Sequence, residues 1–209
     1  EVARLRDALP YAFSRAGLEV GDPIVALGAA AEDERFLYRE GDGAREQILA
    51  DFRAIVEEAE ARLPAYFGRL PEAPVTVERI HAFKEDGSAG AYYNAPSFDG
   101  SRPGTFYVHL REPREVQKFG MRTLAYHEAV PGHHLQIALS WELQGVPFFR
   151  RVIPFTAFIE GWALYAERLA LEEGWHPTPY DELGALQAQM FRAVRLVVDT
   201  GLHAKRWSR

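Results

Sequence analysis

Tyr126-His127-Glu128-Ala129-Val130-Pro131-Gly132-His133-His134 is the stretch on which the reading of this sequence turns. It packs three of the chain's seven histidines into eight residues and sets a glutamate directly after the first. Neutral imidazoles can hold a metal ion, and a neighbouring carboxylate can take a proton from water. The usual helical signature for this chemistry is H-E-x-x-H. Residues four apart on a straight helix differ by about 40° in direction and about 6 Å in height, so two imidazoles can share one ion. Here the second histidine comes six (His133) or seven (His134) residues after His127. Six residues put the side chains about 120° out of phase, and seven separate them by about 10.5 Å along the axis. An undistorted helix suits neither pair.

Pro131 changes the expectation. It lies four residues after His127, so it cannot donate to the His127 carbonyl, and its ring crowds that turn. Gly132 tolerates backbone angles that other residues avoid. A break or bulge is predicted between His127 and His133, one able to absorb two extra residues and return a histidine to the metal. The plainer alternative is a helix end, with His133 and His134 as surface caps. The spacing leaves the choice between the two histidines open.

A third ligand is available downstream. Phe155, Phe158, Ile159, Trp162, Ala163, Leu164, Ala166 and Leu169 make the segment from about 155 to 173 apolar nearly all round, which predicts a buried helix. A carboxylate in such a helix is costly unless it is paired or holds a metal. Glu160 is the expected ligand. Glu167, seven residues on, is expected to support the site or to pair with an arginine.

The remaining sequence supplies the frame. Residues 1–17 read as an amphipathic helix, 18–43 as loop punctuated by Gly21-Asp22-Pro23 and Gly41-Asp42-Gly43, and 44–63 as a strong helix. The period then changes. Residues 75–80, 89–94 and 105–110 read as strands, and the chain after Pro113 as helix over about 114–143, 155–173 and 180–204. The fold class expected is α+β, mostly helical, with a small antiparallel sheet beside the metal-site helices. Residues 1–209 form one region: a mainly helical lead-in over 1–70, then sheet and metal-site helices over 71–209. Glu1 and the polar run His203–Arg209 at the two ends suggest a piece of a longer protein, so compartment and oligomeric state are not legible.

Composition narrows the function classes. With 47% hydrophobic and 26% charged residues the chain is ordinary for a globular protein. A net charge of -6 and the lack of a basic block argue against nucleic-acid binding. No apolar run reaches the ~18–20 residues that span a bilayer. The absence of cysteine excludes thiolate metal sites, leaving His, Asp and Glu as ligands, a set that suits a catalytic rather than a structural zinc.

The run His127–Gln136, the run Glu160-Gly161-Trp162-Ala163-Leu164-Tyr165-Ala166-Glu167, and the segments Ala91–Tyr93 and Asp99–Val108 closely resemble the bacterial DUF885 proteins. The resemblance covers most of residues 44–209. It implies a gluzincin-like zinc metallopeptidase, related at the motif level to enzymes in which a glycine immediately precedes the second metal-binding histidine. Matching Gly132-His133 to that pair selects His133. The implied assignment is Zn2+ on His127, His133 and Glu160, with Glu128 as general base and a peptide or small amide as substrate. Tyr93, or its strand neighbour Tyr92, and His203, four residues after Asp199, are candidates to stabilise the oxyanion. The 89–94 strand is a candidate to bind extended substrate by strand addition. Arg102 is a weaker candidate for a substrate carboxylate. The rivals are a non-catalytic peptide-binding or scaffold module on the same fold, and a zinc amidase acting on non-peptide amides.

Overall fold

A computed structural model describes residues 1–19 and 21–208; Val20, in the stretch read as loop, and Arg209, at the end of the polar run, lie outside them. In chain order the elements are α1 (Val2–Arg15), α2 (Pro23–Ala31), α3 (Ala44–Arg62), β1 (Val75–Arg79), α4 (Ala82–Glu85), β2 (Ala91–Asn94) and β3 (Gly104–Val108). Then come α5 (Met121–Glu128), α6 (His133–Glu142), α7 (Phe148–Val152), α8 (Thr156–Glu172) and α9 (Pro179–His203). The class is α+β and mostly helical, as expected.

The principal core forms where α3 and α5 meet the sheet. Ile48, Phe52, Val56 and Ala59 recur at helical spacing on α3 and are all buried. Phe52 meets Phe106 of β3 edge-on at 5.2 Å between ring centroids, a favoured aromatic geometry. Met121, Ala125 and Tyr126 of α5 close the same core. A second core joins Leu5, Leu9 and Phe13 of α1 to Leu27 of α2 and Leu183 of α9. The lead-in therefore folds back on the last helix.

Three expectations are corrected. First, residues 18–43 contain a helix. The Asp22 carboxylate accepts from the Ile24 and Val25 amides, and Pro23 occupies the first turn. Gly21-Asp22-Pro23 is thus a helix start, not a turn. Second, the sheet is mixed. In the order β1-β3-β2, β2 runs antiparallel to β3 as expected, but β1 pairs with β3 in parallel, Val77 opposite Phe106. The connection from β1 to β3 carries α4 and β2, which gives it the length a parallel crossover needs. β2 is left as an edge strand.

Third, α8 is not buried all round. Ala163, Ala166 and Ala170 form its packed seam, while Phe155, Phe158 and Tyr165 are at least half exposed. Small side chains let α8 sit close against its neighbours, so the bulky residues fall on the outer side. The predicted helical segment over 114–143 is divided into α5 and α6, as Pro131-Gly132 predicts, after two short 3-10 turns.

Candidate metal centre

The break between α5 and α6 lies where the sequence places it. α5 ends at Glu128 and α6 begins at His133. Ala129 leaves the helical region at φ -96 and ψ -104, and the Val130-Pro131 bond is cis. The His134 amide donates to the Ala129 carbonyl at 3.0 Å, which closes the turn. Gly132 packs so tightly on the end of α5 that a Cβ there would lie 1.9 Å from the His127 carbonyl oxygen. Two hydrogen bonds fasten the turn and α6 to α8: Trp162 Nε1 donates to the Pro131 carbonyl at 2.8 Å, and Gln136 Nε2 to the Phe158 carbonyl at 3.0 Å.

The result is convergence. The rings of His127 and His133 stand 4.7 Å apart, nearly perpendicular. One ligand atom from each of His127, His133 and Glu160 lies within 4.8 Å of the others, so the group could hold a metal ion. His127 Nε2 is 3.5 Å from Glu160 Oε2, and His133 Nε2 is 3.8 Å from Glu160 Oε1.

The hydrogen bonding around His127 decides whether its inward nitrogen is a donor or a ligand. Nδ1 lies 2.6 Å from Glu167 Oε1 and 3.0 Å from Arg192 Nη2. A carboxylate accepts only and a guanidinium donates only, so one ring nitrogen cannot serve both. Arg192 already donates to Glu167 at 3.1 Å. In the neutral ring the proton therefore sits on Nδ1 and goes to Glu167, and Nε2 presents a lone pair toward Glu160. Lone pairs facing a carboxylate with no proton between them are the arrangement that a cation satisfies. A carboxylate behind a metal-binding imidazole, fixing its tautomer, is the usual supporting partner. Burial holds His133 well below the ordinary imidazole range, at about 4, so its ring is neutral and able to ligate.

The two histidines left open by spacing are separated by tertiary contacts. His134 is buried with both nitrogens engaged by the protein. Nε2 meets the Ala73 carbonyl at 3.0 Å and so must donate; Nδ1 then accepts from the Tyr93 hydroxyl at 2.9 Å. Gly104 makes room for this pair, since a Cβ there would come within 2.5 Å of both atoms. His133 is the histidine in the triad.

Glu128 is buried, and burial is the main reason its carboxyl is pushed up to about 7. The Glu160 charge adds to the rise. Burial was expected of both α8 glutamates and holds for one: Glu160 is 53% exposed and Glu167 1%. Glu167 carries the buried charge because His127 and Arg192 both compensate it. Arg192 was missed from sequence, where nothing marks it among the charges of α9.

The remaining candidates each make other contacts. Tyr93 is tied to His134. Tyr92 is on β2 against Tyr107, their rings 5.1 Å apart. His203 stands on the exposed last turn of α9, 3.6 Å from Asp199. Arg102 donates to the Ala95 carbonyl in its own loop.

A cavity of about 480 Å³ opens beside the triad. His127 and Glu160 line it together with Gly90 and Ala91 at the β2 edge and Phe191, Arg192 and Arg195 of α9. A groove of about 240 Å³, lined by Tyr93, Ile153, Phe155, Phe158 and Ile159, lies at the start of α8.

The model of the DUF885 family, described as a bacterial protein of unknown function, matches residues 1–209. The chain belongs to the DUF885 family. No curated protein matches it. Among solved structures, a candidate lipoprotein from Colwellia psychrerythraea is 42% identical and superposes with a TM-score of 0.95 over 99% of this chain. The DUF885 chain spans 36% of the length of that relative. Among the described residues no helix is long and apolar enough to cross a membrane.

Proposed function

We propose that this DUF885 chain carries the catalytic centre of a zinc-dependent hydrolase acting on peptide bonds. One observation carries the reading: His127, His133 and Glu160 converge, with the buried Glu128 following the first of them. Two imidazoles and one carboxylate are a three-ligand set of the kind catalytic zinc sites use. Zinc bound there would supply Lewis acidity and would lower the pKa of water.

The chain's own residues account for the rest. A carboxyl near 7 is poised both to accept a proton from attacking water and to return it to the leaving amine, the role assigned to Glu128. Glu167 and Arg192 hold the His127 ring in its ligating tautomer. The outer edge of β2 offers unpaired backbone groups to an extended peptide, and Gly90 and Ala91, where that strand begins, line the cavity beside the triad. A peptide-binding module without metal would have no use for converging lone pairs, and that rival is disfavoured.

Two variants test the reading. His127→Ala should lose bound zinc; equal zinc content in variant and wild type would sink the ligand assignment. Glu128→Gln should keep zinc and lower kcat/KM on a cleavable peptide by about 10²–10⁴-fold, the range for removing a general base. Undiminished turnover would remove Glu128 from the mechanism.

A further inference from the structure

Arg192 and Arg195 lie three residues apart on α9 and line the same cavity as His127 and Glu160. Residues so spaced share a side of a helix. Their situations differ. Arg192 is committed to Glu167, at 2.8 Å from Oε1 and 3.1 Å from Oε2. Among the described residues no carboxylate pairs with Arg195. Asp199, one turn further on, lies instead beside His203. The Arg195 guanidinium rests over the Phe191 ring, 5.6 Å from its centroid, and Phe191 lines the cavity as well. A planar aromatic under a guanidinium restricts it while leaving its hydrogen-bonding edge available.

The charge balance points the same way. Glu167 offsets Arg192, and a divalent ion on the triad would more than offset Glu160. Glu115, which also lines the cavity, lies 3.6 Å from His109 and 3.8 Å from Arg111. Arg195 is the charge left over, at the side of a cavity whose volume is that of an ordinary ligand site. A peptide extended along β2 would reach this space past Gly90 and Ala91, which line it.

We propose that the cavity binds a carboxylate of the substrate, with Arg195 as its anchor. The word substrate rests on the hydrolase reading; the anion site itself does not. A guanidinium fork matches a carboxylate with two parallel hydrogen bonds. The carboxylate is supplied either by the C-terminus of a peptide or by an acidic side chain.

The test uses the zinc-loaded chain and three peptides: one sequence as its free C-terminal acid and as its C-terminal amide, and that amide with a glutamate substituted near the C-terminus. The free acid is expected to exceed the plain amide in kcat/KM by about 10–100-fold, the range for a hydrogen bond to a charged group. Preference for the glutamate peptide over both would assign the site to an acidic side chain. Arg195→Gln should abolish the preference chiefly through KM, and Arg195→Lys should restore part of it. Equal rates for all three peptides, or a preference that survives Arg195→Gln, would overturn the proposal. Calorimetry with N-acetylleucine and its amide separates the two readings. Arg195-dependent binding of the acid without cleavage of any peptide keeps the anion site and rejects the hydrolase. Cleavage without discrimination among the three peptides does the reverse.

Discussion

Replacing Gly132 by alanine should disable the candidate metal centre without touching any of the three residues proposed as ligands. The added Cβ would lie 1.9 Å from the His127 carbonyl oxygen and 2.3 Å from that of Tyr126. Real Cβ contacts do not fall below 3.0 Å, so the end of α5 and the start of α6 must separate by at least 3.0 - 1.9 = 1.1 Å. Both neighbours are backbone, so no side chain can swing away. Metal ligands tolerate only about 0.2 Å of displacement, and the two histidines stand on opposite sides of this contact. The affinity lost should therefore exceed the 10–100-fold typical of changes behind the ligands. Overpacking of this kind also costs about 1–3 kcal/mol, or roughly 2–12 °C in Tm for a chain of this size. Competition with a chelator measures the first quantity and melting of the metal-free protein the second. Gly120→Ala is the control, since its Cβ would meet nothing within 4 Å. A Gly132→Ala protein with a zinc Kd within about threefold of wild type and an unchanged Tm would refute the argument that the tight turn sets the ligand geometry.

Other outcomes follow from the same contacts. Glu167→Gln keeps the shape behind His127 but lets the ring choose its tautomer, and zinc affinity should fall about 10–100-fold; retained affinity would show that Glu167 serves packing alone. Tyr93→Phe leaves the buried His134 Nδ1 without its donor and should cost about 1–3 kcal/mol in urea unfolding, with zinc content unchanged. His176 is buried against Tyr126 and Thr123, and burial lowers it from the usual 6.5 to about 4. The folded state then binds fewer protons than the unfolded chain between those values. Stability present above pH 6.5 should drain away toward pH 4, by about 3 kcal/mol in all. His176→Gln should flatten that part of the unfolding profile measured at pH 7 and pH 4.5, and an unaltered slope would exclude His176 as its source.

The local chemistry of this chain was written in the sequence. His127, Glu128, His133 and Glu160 are legible because ligand type, spacing and the Pro131-Gly132 interruption act through backbone rules that operate within a turn or two. The same rules hold for α3, for the three strands, and for Asp22-Pro23, whose helix-starting signal was present but read as a turn. The resemblance to DUF885 proteins added the choice of His133, which spacing alone left open. What required the folded chain were contacts between residues far apart in sequence. Tyr93 and Ala73 capture His134 across 41 and 61 residues, and Arg192 reaches His127 across 65. The parallel pairing of β1 with β3 and the burial of Glu167 but not Glu160 belong to the same class. Periodicity records that a helix has an apolar side, but only the packed neighbours determine which carboxylate that side must neutralise.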